Sequence, residues 1–399
     1  MGSGDGGAPR RRRSGARSPG DPARDAGSAV RAGVTGRIRG LILYHDGPLL
    51  YFSRGYRLYR SDDGGRTSRL IARLPRATPR EQLARTVLGR RLVRGYIRHL
   101  RPWRDGLLLL AGKRFYRLTG GGAGAGASTG GDPRRRNDSE AEMPGDAGEK
   151  PRPSVHVEAG DFAVGSQPFH LAATDRGVYY GEYRSNRERS PVGLYRSEDG
   201  LTFSQVAELQ GVRHIHGVFV DPVVSTSVLV ATGDDDRESA IWRFDEERGE
   251  LKRLFGGSQQ LRAVTLVPTR SFIYFGSDTP RERNHLYRYR RLSGEIEKLT
   301  EVGGSVFWGR GLPDGTIAFS TVVEPSAVNP TRHAELWVAP AGRRFELLRR
   351  WKADYLHPNL FQYSQVRFPA GPGEPGLLWV TPFANWAHER SVALDLSAL

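Results

Sequence analysis

The sequence predicts an all-β protein, a β-propeller whose four-stranded antiparallel blades surround a central channel. Short β-rich runs alternate with turns of Gly, Asp, Pro and Asn, which is typical of many short strands in one fold. A tripeptide of an aliphatic residue or Phe, then Tyr or Trp, then usually Arg also repeats. Its copies are Leu58-Tyr59-Arg60, Phe115-Tyr116-Arg117, Leu194-Tyr195-Arg196, Ile241-Trp242-Arg243, Leu286-Tyr287-Arg288 and Leu336-Trp337-Val338. From Tyr195 onward the aromatic recurs every 45 to 50 residues, which is the length of one blade.

Paired apolar runs give the number of blades. Five units begin with two such runs: PFHLAAT and GVYYGEY, HIHGVFVDP and SVLVATGD, LRAVTLVP and FIYFGSD, VFWGRGLP and TIAFSTVVE, YSQVRFPA and LLWVTPFAN. Two earlier units, around Leu41 to Leu74 and around Tyr96 to Leu118, raise the number to seven. Six blades also fit, because the first unit could share its strands with the last to close the ring.

The domain organisation follows from composition. Residues 1–35, with the basic run Arg10 to Arg13, and residues 119–154 contain almost no large apolar residue, so both are predicted to be disordered. Residues 36–399 then form a single propeller domain. In residues 79–94, Leu83, Val87 and Leu92 recur at near-helical spacing among five arginines, which predicts a short basic helix. Such a helix would cover the propeller edge or contact an acidic lipid surface or partner.

Charge and cysteine content exclude several classes of function. The chain of 399 residues has no cysteine, which excludes disulfides, thiolate metal sites and a cysteine nucleophile. No run is long enough to span a membrane or serve as a secretory signal, so we expect a cytoplasmic protein. A net charge of +16 indicates anionic partners. The arginines are spread over the chain rather than gathered in a stripe, which does not favour nucleic acid.

A turn motif follows the tripeptide in two units. Ser61-Asp62-Asp63-Gly64-Gly65-Arg66-Thr67 resembles the Asp-box, or BNR repeat, and Ser197-Glu198-Asp199-Gly200-Leu201-Thr202-Phe203 is a variant one residue shorter. A third copy at residues 339–345 keeps the spacing but lacks the Ser and the Asp. The Asp accepts backbone N–H groups, Gly takes positive φ, and the final aromatic packs between sheets. The resemblance implies the fold of the sialidase-like superfamily and a structural role for the boxes. The sialidase catalytic motifs are incomplete: no Phe-Arg-Ile-Pro-like segment is present, and beside Arg262 a second and third arginine cannot be placed.

The candidate functional residues lie where two sets of turns open on one face of a propeller, before the inner strands and after the second strands. Crowded carboxylates there should raise some pKa values and pair an acid with a base, as glycoside cleavage requires. An aromatic side chain can stack on a sugar, and an arginine can pair with its carboxylate. The predicted catalytic residues are Glu324, Asp278, Asp234 and Tyr363, and the predicted substrate-binding residues are His170, Glu182, His216, Arg262, Trp308 and Asn385.

A metal site is a further candidate. His214 and His216 are alternate residues of one predicted strand, so both imidazoles could face the channel and join His170 from the preceding blade. Imidazoles near carboxylates suit zinc, manganese or iron(II). No other cofactor is expected.

Three functions are therefore consistent with the sequence. The first is a carbohydrate-active or carbohydrate-binding propeller that takes a sugar or glycoconjugate, with glycoside hydrolysis as one activity and an acidic sugar as one substrate to consider. The second is a non-catalytic scaffold that binds a protein partner. The third is a metal-dependent lyase or hydrolase.

Overall fold

The computed structural model describes residues 1–2, 32–76, 78–120, 155–161 and 168–399. Their strands form seven antiparallel sheets, each a blade of a β-propeller, which confirms the predicted fold and the count of seven. The predicted disordered tail and insertion fall almost entirely outside these residues. At their described borders, strand 1 already begins at Gly33 and the third strand of blade 2 continues to Gly120.

Blades 1 to 3 each follow the chain from the inner to the outer strand. Blade 1 contains β2 (Leu41–Asp46), β3 (Leu49–Arg54), β4 (Arg57–Ser61) and β5 (Arg69–Arg73). Blade 2 contains β6 (Ile97–Trp103), β7 (Gly106–Ala111), β8 (Arg114–Gly120) and β9 (Val155–Asp161). Blade 3 contains β10 (Leu171–Ala173), β11 (Val178–Gly181), β12 (Val192–Ser197) and β13 (Ser204–Leu209).

Blades 4 to 6 repeat this order. Blade 4 contains β14 (His214–Val220), β15 (Ser227–Gly233), β16 (Ala240–Asp245) and β17 (Glu250–Gly256). Blade 5 contains β18 (Ala263–Pro268), β19 (Phe272–Ser277), β20 (Asn284–Arg290) and β21 (Ile296–Val302). Blade 6 contains β22 (Val306–Gly311), β23 (Ile317–Thr321), β24 (His333–Ala339) and β25 (Glu346–Lys352).

Blade 7 closes the ring by joining both ends of the described fold. Its inner strands β26 (Gln365–Arg367), β28 (Leu377–Phe383) and β29 (Arg390–Asp395) come from the end of the chain, and its outer strand β1 (Gly33–Arg39) comes from the start. The pairing of β1 with β29 runs from Gly33 opposite Asp395 to Arg39 opposite Arg390. A short strand β27 (Ala370–Gly373) pairs in parallel with β2 and ties blade 7 to blade 1.

The repeated tripeptide lies on the third strand of blades 1 to 6. In blades 1 and 3 to 6, the register with the fourth strand shifts at the tripeptide and leaves one extra residue in the fourth strand. This residue is aliphatic in every case: Ile71, Val206, Leu254, Leu299 and Leu348. The tripeptide therefore coincides with a β-bulge in five blades, where the bulge increases the local twist. In blade 2 the same tripeptide pairs without a shift.

The two turns with Asp-box spacing have the expected hydrogen bonds. Asp199 Oδ1 accepts the N–H groups of Leu201 at 2.8 Å and Thr202 at 2.7 Å, and the Ser197 hydroxyl at 2.8 Å. Asp63 likewise accepts the N–H of Thr67 at 2.9 Å. The aromatic that ends the second turn, Phe203, stacks on Phe115 of blade 2 with ring centroids 4.5 Å apart. The second turn thus packs blade 3 against blade 2.

The predicted basic helix is broken into shorter pieces. Helix α1 (Pro79–Gln82) is capped by Thr78, a 3₁₀ turn follows at Leu83–Arg85, and helix α2 (Val87–Val93) begins after the new cap Thr86. Thr86 has an extended backbone and its side chain accepts the N–H of Gly89, so one continuous helix is ruled out. Two further short segments are a 3₁₀ turn at Gln259–Leu261 and helix α3 (Pro358–Phe361).

The described helices are all short, and none combines the length and apolar character that crossing a bilayer would require.

Candidate functional site

Bulges in the innermost strands direct side chains into the channel. The register of the first two strands shifts between Ile97 and His99 in blade 2, and likewise in blades 4 and 6, which leaves Arg98, His216 and Phe307 as extra residues. A bulge re-aims the side chain it carries. All three of these residues line one cavity at the mouth of the channel.

This cavity, called the upper cavity below, has a volume of about 390 Å³. Six of the ten predicted catalytic and substrate-binding residues line it: His216, Arg262, Asp278, Trp308, Glu324 and Tyr363. The other lining residues are Arg94, Arg98, His99, Phe169, Tyr183, Val264, Phe307, Pro358, Asn359, Gln362, Gln365 and Arg367. The structure thus gathers residues from the chain after α2 and from blades 2 to 7 into a single concave site with aromatic walls and several charges, as ligand pockets have.

Arg262 connects the acidic residues of blades 4 and 5. Its Nη2 lies 3.0 Å from Asp234 Oδ1 and 3.1 Å from Asp278 Oδ2. Burial alone would lower the pKa of Arg262, but Asp278 and Asp234 raise it above the ordinary value. Arg262 is therefore a permanent cation that forms an ion pair with each of these two carboxylates.

Glu324 is in a different electrostatic state. Burial, followed by repulsion from Asp278, raises the pKa of Glu324 to about 7, although Arg262 opposes the shift. The hydroxyl of Ser305 donates a hydrogen bond to Glu324 Oε2 at 3.3 Å. A substantial fraction of Glu324 is therefore protonated at neutral pH and can donate a proton.

Tyr363 and Trp308 also line the upper cavity. The hydroxyl of Tyr363 donates to Asn359 Oδ1 at 3.3 Å, and burial, followed by the charge of Glu324, raises the pKa of this phenol. Trp308 Nε1 donates to Gln365 Oε1 at 2.7 Å, which fixes the indole in the channel. The phenol is thus a neutral donor near Glu324 at neutral pH, and the indole is a rigid apolar surface.

Four predicted residues do not line the upper cavity. Asp234 lies behind Arg262, where Arg213 Nη1 is 2.6 Å from its Oδ2. His170 lies deeper in the channel, with Nε2 3.2 Å from the Phe307 carbonyl oxygen.

Glu182 and Asn385 stabilise their own turns. Glu182 forms an ion pair with Arg184, and its Oε2 accepts the N–H of Gly193 at 2.9 Å. Asn385 Oδ1 accepts the N–H of Ala387 at 3.0 Å. Both residues were predicted because they follow a second strand, and the turn at that position also needs side chains that cap its backbone.

A candidate metal site differs in one member from the predicted triad. His214 Nε2 and His216 Nε2 are 3.1 Å apart and lie 3.5 Å and 3.6 Å from Asp234 Oδ1. The three residues have the donor atoms that a divalent cation needs. His170 is outside this group, and Asp234 takes its place.

The sequence interpretation missed the basic residues of the cavity. Arg98 and Arg367 line it beside Arg262, so a second and third arginine are present. Arg98 lies at a bulge of β6 in blade 2, a blade that contributed no residue to the predicted site. The two arginines within IRHLRPW were the available signal, because charged residues are uncommon on an innermost strand that is surrounded by protein.

Comparisons with known proteins bear on the fold. No family model and no curated protein sequence matches the chain. The β-propeller domain of Cps50 (Swd1) from Myceliophteria thermophila is similar in structure, with a TM-score of 0.52 and 10% identity over 92% of this chain and 100% of that one. The chain is a seven-bladed β-propeller. A chain of a Mitotic Checkpoint Complex gives a TM-score of 0.49 at 10% identity, covering 96% and 98% of the two chains. At such identities the likeness is one of fold.

Proposed function

We propose that the upper cavity binds a carbohydrate, specifically an acidic sugar, and that Glu324 and Asp278 act on it as acid and base. One observation carries this proposal: a carboxyl group whose pKa is about 7 and a second carboxylate held by Arg262 share one cavity. Two carboxyl groups in different protonation states are what glycoside cleavage requires.

The lining of the cavity supports a sugar as ligand. Phe169, Tyr183, Phe307, Trp308 and Tyr363 provide aromatic surface. Carboxylate and amide groups provide the acceptors and donors that sugar hydroxyls use.

The charges of the cavity favour an acidic sugar. Arg94, Arg98, Arg262 and Arg367 line the cavity against two carboxylates, Asp278 and Glu324, so the site has an excess of positive charge. A guanidinium pairs with a sugar carboxylate through two parallel hydrogen bonds. The turns at Asp63 and Asp199 have the hydrogen bonds expected of an Asp-box, which supports a place in the sialidase-like superfamily.

A screen with matched variants tests this proposal. The wild type is assayed against aryl glycosides of sialic, uronic and neutral sugars, and its binding to free glucuronate and sialic acid is measured by saturation-transfer NMR. We expect an acidic sugar to bind, and E324Q to reduce turnover at least 100-fold, as expected for loss of a general acid. The control E346Q changes an exposed glutamate on β25 and should leave turnover unchanged. If no sugar binds at millimolar concentration, or if E324Q is as active as E346Q, the proposal is wrong.

A metal-assisted reaction is a second candidate, supported by the two facing histidines. His214 Nδ1 is 3.1 Å from the Arg184 carbonyl oxygen and His216 Nδ1 is 3.0 Å from the Ala263 carbonyl oxygen. A carbonyl only accepts, so each Nδ1 donates its proton there, and each Nε2 is turned toward the space shared with Asp234 Oδ1. Titration with Co²⁺, followed by its visible absorption, tests the site: one equivalent bound by the wild type and lost in H216Q would support it, and the absence of binding would exclude it.

A non-catalytic scaffold is favoured by apolar side chains exposed at the mouth. Leu83, Leu88 and Leu92 of the helical segment are 54%, 51% and 40% exposed, and Leu360 of α3 is 56% exposed. Stable copurification of a protein with the wild type and not with L88S/L92S would support this function.

A further inference from the structure

The lower half of the central channel contains a second cavity of about 140 Å³. Four arginines from three inner strands line it: Arg98 and Arg101 from β6, Arg310 from β22 and Arg367 from β26. Among the described residues that line this lower cavity, none is an aspartate or glutamate. It is therefore a buried space with a concentrated positive charge.

Arg101, Arg310 and Arg367 donate hydrogen bonds to neutral partners. Arg101 Nη1 donates to the Leu100 carbonyl at 3.0 Å, Arg310 Nη1 to the Pro369 carbonyl at 2.9 Å, and Arg367 Nη2 to the Tyr96 hydroxyl at 2.9 Å.

Among the described residues, Arg310 also has a buried side-chain donor that makes no hydrogen bond. Its side chain is only 9% exposed, and its Nη2 atom is buried without a hydrogen-bond partner. His45, 1% exposed, is another buried residue whose Nε2 lacks a partner, and Arg310 contributes to lowering its pKa. A buried arginine with an unpartnered donor destabilises the fold, because the donor loses its hydrogen bonds to water and gains none from the protein.

The arginines remain charged despite this cost. Burial lowers the pKa of Arg101 and of Arg310 to about 10, with repulsion from Arg101 adding to the shift of Arg310. Both are protonated at neutral pH, and the described residues around their donors include no carboxylate. Buried charges in proteins are normally paired, so such a group of arginines is suited to an anion.

We propose that the lower cavity is a binding site for a small oxyanion of the phosphate or sulfate class, held by Arg101, Arg310 and Arg367. Guanidinium groups match such oxygens with two parallel hydrogen bonds, and several can share one tetrahedral anion. The volume has room for one anion with a few waters, each of which occupies about 30 Å³. This site is separate from the acid and base of the upper cavity, although Arg98 and Arg367 border both.

The proposal predicts an unusual pair of effects from one substitution. In phosphate-free buffer, R310M should melt at or above the wild-type temperature, because the variant no longer buries an unpaired cation. In phosphate, the wild type should gain stability by mass action, whereas R310M should gain little.

The test uses the full chain dialysed into chloride buffer, with inorganic phosphate or sulfate added at constant ionic strength. Thermal midpoints and isothermal titration calorimetry should show one equivalent bound by the wild type, binding at least tenfold weaker in R310M, and unchanged binding in the control R344M, which alters an exposed arginine. R101M is the second variant and should also weaken binding if R310M does not fold.

Three results would overturn the proposal. One is no response of the wild type to phosphate or sulfate, and another is an equal response of R310M and the wild type, which would indicate binding to the basic surface. The third is a response to glucuronate alone, which would assign these arginines to the sugar carboxylate. E324Q should keep its phosphate response, so failure of the carbohydrate proposal remains distinguishable from failure of this one.

Discussion

The Nη2 atom of Arg262 lies 3.1 Å from Oδ2 of Asp278, and the same nitrogen lies 3.0 Å from Oδ1 of Asp234. One cation thus compensates two carboxylates that are far apart in sequence. The protonation state of the upper cavity depends on this contact, because Arg262 opposes the rise in the pKa of Glu324 that Asp278 promotes.

The first prediction concerns Arg262 itself. R262M should destabilise the fold by about 3 kcal/mol, because removing one member of a buried ion pair leaves the other uncompensated. Urea unfolding measures the effect. The double variant R262M/D278N should recover part of the loss without recovering sugar binding, since a neutral amide needs no cation. If R262M is as stable as the wild type, the contact does not stabilise the fold.

The second prediction is the pH dependence of the stability contributed by Glu324. Its folded pKa is about 7 and its ordinary value is 4.5, so the folded state binds this proton more tightly than the unfolded state. The contribution is full below pH 4.5 and is lost as the pH rises through 7. At pH 8, E324Q should be about 2 to 3 kcal/mol more stable than the wild type, and at pH 4 the difference should vanish. Equal stabilities at both pH values would show that Glu324 has an ordinary pKa.

The buried histidines lead to a third prediction of opposite sign. Burial is the main cause that lowers the pKa of His170, and of His45, to about 4. Their neutral forms stabilise the fold, and this contribution is lost as the pH falls from 6.5 toward 4, by about 1.4 kcal/mol per pH unit for each histidine. When the pH is lowered from 7 to 5, the free energy of unfolding measured in urea should fall by about 2 kcal/mol less in H170Q than in the wild type. The control H156Q alters an exposed histidine and should match the wild type.

The fold could be predicted from the sequence because the residue patterns that mark its strands repeat from blade to blade. Tripeptides such as Leu194-Tyr195-Arg196 mark the third strand in six blades, and the runs around them have the alternation of strands. Ring closure by β1 was not predicted, because strand sharing was considered only for a six-blade ring and the structure has seven blades. The break of the helical segment at Thr86 was not evident, because the sequence alone does not distinguish a threonine that caps a helix from a threonine within one.

The residues of the candidate site could be predicted only in part. Asp278 and Glu324 were found because they follow second strands, and the same rule also selected Glu182 and Asn385, which cap their turns. Arg98 reaches the cavity because a bulge shifts the register by one residue. Such a shift reverses which side chains face the channel, and it depends on pairing between strands that a single sequence does not specify.

The fourth prediction concerns the turn at Asp199. D199A should cost about 1 to 2 kcal/mol, because two backbone N–H groups and one hydroxyl lose their acceptor. Burial opposes the shift, but the N–H groups of Thr202 and Leu201 hold the pKa of Asp199 at about 2, so the loss should be full above pH 3.8 and should shrink as the pH falls toward 2. Thermal unfolding measures both effects, and ligand binding in the upper cavity should be unchanged. Loss of binding at full stability would contradict a structural role for this turn.

The fifth prediction tests ring closure with two truncations. Deleting residues 1–39 removes β1 and its antiparallel pairing with β29, which leaves an open blade with an exposed edge strand. We expect this variant to melt at a clearly lower temperature and to aggregate, as measured by differential scanning fluorimetry and light scattering. Deleting residues 1–31 keeps Gly33–Arg39 intact. Because the sequence of that tail predicts disorder, the shorter truncation should match the full chain in both measurements. If the two truncations behave alike, the joining of the first strand to the last blade does not hold the ring together, and closure must depend on β27 and on packing between blades 1 and 7.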